Sequence, residues 1–305
     1  MKFSTISSAS TALLLLPQLV SAHYLFPHFI LNDKVSKPQE FTREHDNGFM
    51  PLKTPEILTS DDIRCNKGSM NHRTQPKTAK IKAGQDTVGF KTAVGNVFHP
   101  GPITIMMSKA PGSIAEYDGS GSWFKVFEMG TKLPWNGKDD GWLTKDKDRF
   151  TFKLTDKIPA GEYLMRIEHM AVHQPFKQKE LYIMCAHVEV ESSYTGPEPG
   201  PTIKLPGGYK ADDKAFGLDS WANPPPKEAF APGPALWPGG GGGGDASAND
   251  TQPAAPPAQA GKQSQPAKGK PETKGKPDTK AKPDTKAKSD SIKEKSKKVK
   301  RILRA

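Results

Sequence analysis

Cysteine is nearly absent: the 305-residue chain has two, Cys65 and Cys185. So few cannot staple a small scaffold in place of a core, so stability has to come from a packed interior. Long apolar runs are missing as well. The stretch around Ala12–Leu16 is too short to span a bilayer, no later segment is longer, and the C-terminus lacks the apolar tail of a lipid-anchor signal. Net charge is missing from most of the chain, although the total is +11. Residues 239–305 hold 16 basic against 7 acidic residues and Lys2 sits at the N-terminus, leaving residues 23–238 at +1. A nearly neutral segment has no electrostatic need of an anionic partner, so no specific nucleic-acid partner is expected.

What is present begins with a leader. Lys2, the apolar stretch and the small residues Val20-Ser21-Ala22 form a secretory signal over residues 1–22. Cleavage after Ala22 predicts a secreted, extracellular protein whose first residue is His23. Export favours pairing of the two cysteines, with two buried thiols as the alternative.

Residues 23–230 have mixed composition and suffice for one domain. Residues 231–305 read as a Pro/Gly linker and a Lys-rich tail. Around Gly269–Lys274 the tail repeats a six-residue unit, GKPETK, GKPDTK, AKPDTK, with almost no apolar side chains to offset ordering entropy. We expect it to be disordered, either contacting anionic cell-wall polymer or membrane or serving as a solvated spacer. Asn249-Asp250-Thr251 is a glycosylation sequon within it.

Inside the domain the periodicity is short. Runs beginning at Thr87, Ile103, Trp123, Phe150, Tyr163 and Tyr182 are rich in β-branched and aromatic residues and bounded by Gly, Pro, Asp or Asn. Without amphipathic helices between them, they predict an all-β, immunoglobulin/fibronectin-like antiparallel β-sandwich with long loops, notably residues 40–64 and 191–230.

A free N-terminal histidine offers an α-amine and an imidazole Nδ1 that can close a chelate ring on one ion, and nitrogen ligands in a plane select Cu(II). A third nitrogen has seven candidates: His28, His45, His72, His99, His169, His173 and His187. His99 is distinguished by its context, Val97-Phe98-His99-Pro100-Gly101-Pro102, a loop between two strand-like runs. His169 and His173 have zinc-pair spacing, but their segment alternates like a strand and lacks the glutamate of a helical zinc motif.

These pieces resemble the fungal lytic polysaccharide monooxygenases of auxiliary activity family nine. The matching motifs are His23-Tyr24-Leu25-Phe26-Pro27, Ser60–Asn66, His99-Pro100-Gly101-Pro102, Gly119–Val126, Arg166-Ile167-Glu168 with Ala171-Val172-His173, Leu181–Ala186 and Leu205–Lys210. They follow the family's order across residues 23–220. The resemblance implies one copper per domain, an external electron donor with O2 or H2O2 as co-substrate, and a substrate class of cellulose or a related β-glucan, cleaved oxidatively at C1 and/or C4 by a monomer. It makes His23 and His99 the metal ligands, Tyr182 the axial group, and His173 a hydrogen-bonding catalytic partner. Tyr182 and Cys185 fall on opposite faces of one strand, so the tyrosine can face the metal while Cys185 reaches Cys65.

One position departs from the family's pattern. Glu180 stands where the family usually has glutamine, and a carboxylate accepts hydrogen bonds where an amide both donates and accepts. For the sugar-binding face, Tyr209 lies in a matching loop, with His28 and Trp221 as further candidates, whereas the loop from Phe41 to Thr59 holds Phe49 but no Tyr or Trp. Glu180 and the sparse aromatic face support an alternative, a copper- or carbohydrate-binding member with weak or no catalytic activity.

Overall fold

The computed structural model describes residues 23–173 and 178–238. The leader, the tail from Gly239 and Asn249 lie outside them. Two β-sheets face each other. The smaller is antiparallel, in the order β2 (Lys34–Val35), β1 (His28–Leu31), β5 (Thr87–Lys91), β8 (Arg149–Lys153). The larger runs β11 (Ile203–Lys204), β7 (Ser122–Met129), β6 (Ile103–Lys109), β9 (Gly161–Ala171), β10 (Glu180–Glu191), β3 (Leu52–Lys53), with β4 (Ala79–Lys82) also on β10. All six strand-like runs of the sequence are strands, and the sandwich class holds.

The structure departs from pure antiparallel pairing at β4, which pairs with β10 in parallel. The outer edge of β10 is covered by three separate pieces: β3 at Glu180 and Leu181, a bridge from Thr42 to Ala186, and β4 at Val188–Glu191. A long edge strand with open hydrogen-bonding groups is an aggregation hazard, and these short segments close it.

Strand β10 shows why the large sheet reads as nearly continuous apolar sequence. Tyr182, Met184, Ala186, Val188 and Val190 enter the core between the sheets, while Leu181, Ile183 and Cys185 enter a second core beneath the long loops. With both faces covered, polar residues have no face to occupy unless paired. Arg166 and Glu168 of β9 are buried in that second core as a pair: Arg166 donates to the carbonyls of Ile63 and Arg64 and to Glu168, and Glu168 accepts from the Tyr209 hydroxyl. Cys65 and Cys185 form a disulfide at a Cα separation of 5.3 Å, tying the loop to β10.

The domain extends past the boundary expected at residue 230. Leu236 bridges to Lys125, the Trp237 amide donates to the Lys125 carbonyl, and the Trp237 indole donates to Lys157. The Pro/Gly-rich composition there reads as a linker, whereas the structure lays residues 236 and 237 along β7 with Trp237 as the anchor.

Candidate metal centre

The site is built where the segment at His23, one loop and two strands meet. Residues 24–26 are buried, and the Ala93 amide donates to the Leu25 carbonyl, which fixes the segment behind His23. Tyr24 stacks on Tyr182 at 4.3 Å and bonds His169 Nδ1 through its hydroxyl at 2.6 Å. Burial pulls the His169 pKa down to about 3, so the ring is neutral.

His99 is positioned by the Pro-Gly-Pro that follows it. The amides of Met170 and Val172 donate to the carbonyls of Pro102 and Pro100, so the loop pairs with the end of β9. Gly101 takes φ +150°, and a Cβ there would stand 1.9 Å from the Met170 carbonyl oxygen. Only glycine permits that approach. The pairing brings the His99 ring onto His173, with centroids 3.9 Å apart and planes 9° from parallel.

His23, His99 and Tyr182 then form a triangle of rings whose three centroid separations are each 6.2 Å. An imidazole nitrogen stands about 2 Å from a first-row ion and its ring centre roughly 1 Å farther, so two imidazoles on opposite sides of one ion have centres roughly 6 Å apart. The spacing of His23 and His99 fits one shared ion, and a nitrogen-rich donor set with a phenol fits copper. A second grouping overlaps it: one ligand-capable atom each of His99, His173 and Glu180 lie within 4.8 Å of one another. The triangle is the better candidate, because the expected cleavage after Ala22 would add a further nitrogen, the α-amine, at His23.

Glu180 anchors the polar side of the site. Its Oε2 accepts from the Tyr182 hydroxyl at 3.0 Å and lies 3.7 Å from His173 Nε2, while Oε1 pairs with Lys53 Nζ at 3.4 Å. Desolvation, then the Glu180 charge, raises the Tyr182 pKa, so the phenol keeps its proton. Burial lowers the His173 pKa, with Glu180 opposing.

The structure assembles His23, His99, His173, Glu180 and Tyr182, and leaves other candidates outside. His45 and His187 are buried and neutral, pulled down to about 4 and about 3 by desolvation; His187 accepts from Arg43 and His45 lies against Asn66. His72 pairs with Asp46. His28 binds the Ser36 carbonyl through Nδ1, which ties it to the β1–β2 hairpin. Tyr209 is corrected: it is 2 % exposed, its hydroxyl spent on Glu168, so it offers no face to a sugar.

Trp221 is 73 % exposed and its indole donates to the His173 carbonyl, which places it beside the site. Sequence reasoning overlooked Phe98, which is 59 % exposed and packs edge-on against His99 at 5.7 Å. Its signal was an apolar residue next to a metal-ligand candidate in a loop. Lys53 gave none, since a two-residue strand leaves no periodicity. A hollow of about 370 Å³ lined by Phe29, Val35 and Phe41 shares no residue with the cluster.

Residues 23–229 match the family model described as Auxiliary Activity family 9 (formerly GH61). Similar proteins include AA9 family lytic polysaccharide monooxygenase G of Aspergillus tamarii, 42 % identical over 226 residues that cover 73 % of this chain and 68 % of that one. The A enzyme of Aspergillus fumigatus is 41 % identical over 257 residues, covering 81 % and 86 %. Among solved structures, a cellulose-active polysaccharide monooxygenase from M. thermophila aligns with a TM-score of 0.58 at 24 % identity, covering 70 % of this chain and 99 % of that one. HiLPMO9B aligns with 0.60 at 22 %, covering 71 % and 100 %. At such identities the structural matches carry the fold alone. The family model and the curated relatives define an oxidoreductase that cleaves polysaccharide. The chain belongs to Auxiliary Activity family 9, the lytic polysaccharide monooxygenases.

Proposed function

We propose that the mature, secreted protein would hold one copper ion between the α-amine and Nδ1 of His23 and a ring nitrogen of His99, with the Tyr182 hydroxyl facing the site, and cleave a β-1,4-glucan such as cellulose at C1 and/or C4. The observation that carries the reading is the triangle of His23, His99 and Tyr182 rings with 6.2 Å sides. Copper, when bound, supplies the one-electron chemistry that turns O2 or H2O2, with an external electron donor, against a C–H bond beside the glycosidic link. The chain's own groups do the rest. Glu180 holds the Tyr182 hydroxyl as a donor, and His173, stacked on His99, offers its imidazole as hydrogen-bond partner for the co-substrate. Trp221 and Phe98 flank the histidines and present apolar rings to sugar faces.

The test is mass spectrometry of products released from phosphoric-acid-swollen cellulose by copper-loaded protein with ascorbate. Oxidised cello-oligosaccharides support the reading, and their absence also from xyloglucan and glucomannan rejects it. That negative outcome would favour a copper- or carbohydrate-binding member with little turnover, a second reading motivated by Glu180 and by the burial of Tyr209. We further assign the protein to act as a monomer, with its Lys-rich tail contacting anionic wall or membrane. Removing residues 239–305 should then weaken retention on walls and leave copper affinity intact.

A further inference from the structure

We propose that Lys53 is a positioning residue of the copper site, acting through Glu180. The inference rests on the metal assignment above. Glu180 is buried, its side chain 4 % exposed, and a buried carboxylate needs a partner for each oxygen. Oε2 faces the Tyr182 hydroxyl at 3.0 Å and His173 Nε2 at 3.7 Å; Oε1 faces Lys53 Nζ at 3.4 Å. In these contacts Oε2 faces the site and Oε1 faces the lysine, so the lysine's hold on Oε1 bears on which way Oε2 points.

The backbone is arranged for this pairing. Lys53 and Glu180 are directly opposite across β3 and β10. Next to them the Thr54 amide donates to the Lys179 carbonyl at 3.0 Å, and the Lys179 amide donates to Thr54 Oγ1 at 2.8 Å. This clamp fixes where the lysine stem starts. The Lys53 side chain remains 49 % exposed, so it supplies a charge with little desolvation cost, whereas a fully buried pair would have to recover that of both ions.

Because the Tyr182 hydroxyl donates to Glu180 Oε2, its orientation toward the ion follows the carboxylate. A loosened carboxylate changes the axial group, and the electronic signature of Cu(II) reports it independently of turnover. A lysine that served only the fold, or touched only the sugar, would leave that signature alone.

The experiment uses full chains beginning at His23 and loaded with copper: wild type, Lys53→Met, Lys53→Arg, Glu180→Gln and the double variant Lys53→Met/Glu180→Gln. The Cu(II) electron paramagnetic resonance spectrum and the initial rate on swollen cellulose are read for each. Lys53→Met is expected to shift the spectrum and lower the rate about tenfold, in the range that loss of a ligand's supporting partner costs. Lys53→Arg should restore both. In the Glu180→Gln background the lysine change should leave both unaltered. A Lys53→Met spectrum identical to wild type overturns the inference, whatever happens to cellulose binding or thermal stability. So does an equal effect with and without Glu180. If wild-type protein shows no bound Cu(II), the metal assignment fails and this inference with it; a normal wild-type spectrum with silent lysine variants rejects the inference alone.

Discussion

Gly101→Ala tests whether loop-to-strand pairing positions His99. At φ +150° an L-residue is strained, and the new Cβ would meet the Met170 carbonyl oxygen at 1.9 Å, its carbon at 2.9 Å and the Ala171 Cα at 3.2 Å. These are backbone atoms of a central strand, so no side chain can swing away. Relief requires the loop to retreat, breaking the bonds from Met170 to Pro102 and from Val172 to Pro100 and the bond from Thr144 Oγ1 to the Gly101 carbonyl. Backbone strain of about 1–3 kcal/mol and a similar overpacking cost put the loss on the order of 3 kcal/mol. For a domain of this size that lowers the thermal midpoint by roughly 10 °C. Moving the loop also carries His99 off His173, so copper affinity should fall on the order of tenfold or more. Differential scanning calorimetry of the metal-free protein and copper titration of the folded variant measure the two effects. A variant with wild-type midpoint and wild-type copper affinity would refute the reasoning.

Three further outcomes are expected. Reducing the Cys65–Cys185 disulfide, which spans 120 residues of chain, should cost roughly 5 kcal/mol by the chain-entropy model, seen as a lower urea midpoint; an unchanged midpoint would contradict it. Burial depresses the pKa of His45 to about 4 and of His169 and His187 to about 3. Unfolded histidines titrate near 6.5, so below that pH the unfolded chain takes up protons that the fold refuses, and stability present above 6.5 is lost toward pH 4, at up to about 1.4 kcal/mol per histidine per pH unit. Urea unfolding of metal-free protein at pH 7 and pH 5 checks this, and equal stabilities would contradict it. Trp221→Ala should weaken cellulose binding about fivefold, at ~1 kcal/mol for a stacking ring, with the thermal midpoint unmoved because the ring is exposed. Unchanged binding in a depletion assay would remove Trp221 from the sugar face.

The strands were legible because each run has a compact β-branched and aromatic signature between turn residues. Strands β1 to β4 and β11 were not, since all are short, and β3, β4 and β11 owe their pairing to strands far along the chain. Among the site residues, His23 announces itself by its place after the leader, and His99 by Pro-Gly-Pro. The parity of β10 correctly sends Tyr182 inward and Cys185 to Cys65. Tyr209 misled because its motif gives loop position and not burial; Glu168, buried beneath it, takes its hydroxyl. Lys53 and Phe98 reach the site through spatial neighbours alone.

Copper held by the first residue of the mature chain is the central claim. Retaining Ala22 ahead of His23 converts the amine into a peptide nitrogen while leaving every side chain in place. The direct measurement is calorimetric copper titration of protein starting at His23 against protein starting at Ala22. Our account expects affinity to fall on the order of a hundredfold or more, since a ligand is lost and loss of a mere supporting partner already costs tenfold to a hundredfold. Equal affinity for the two forms would contradict it.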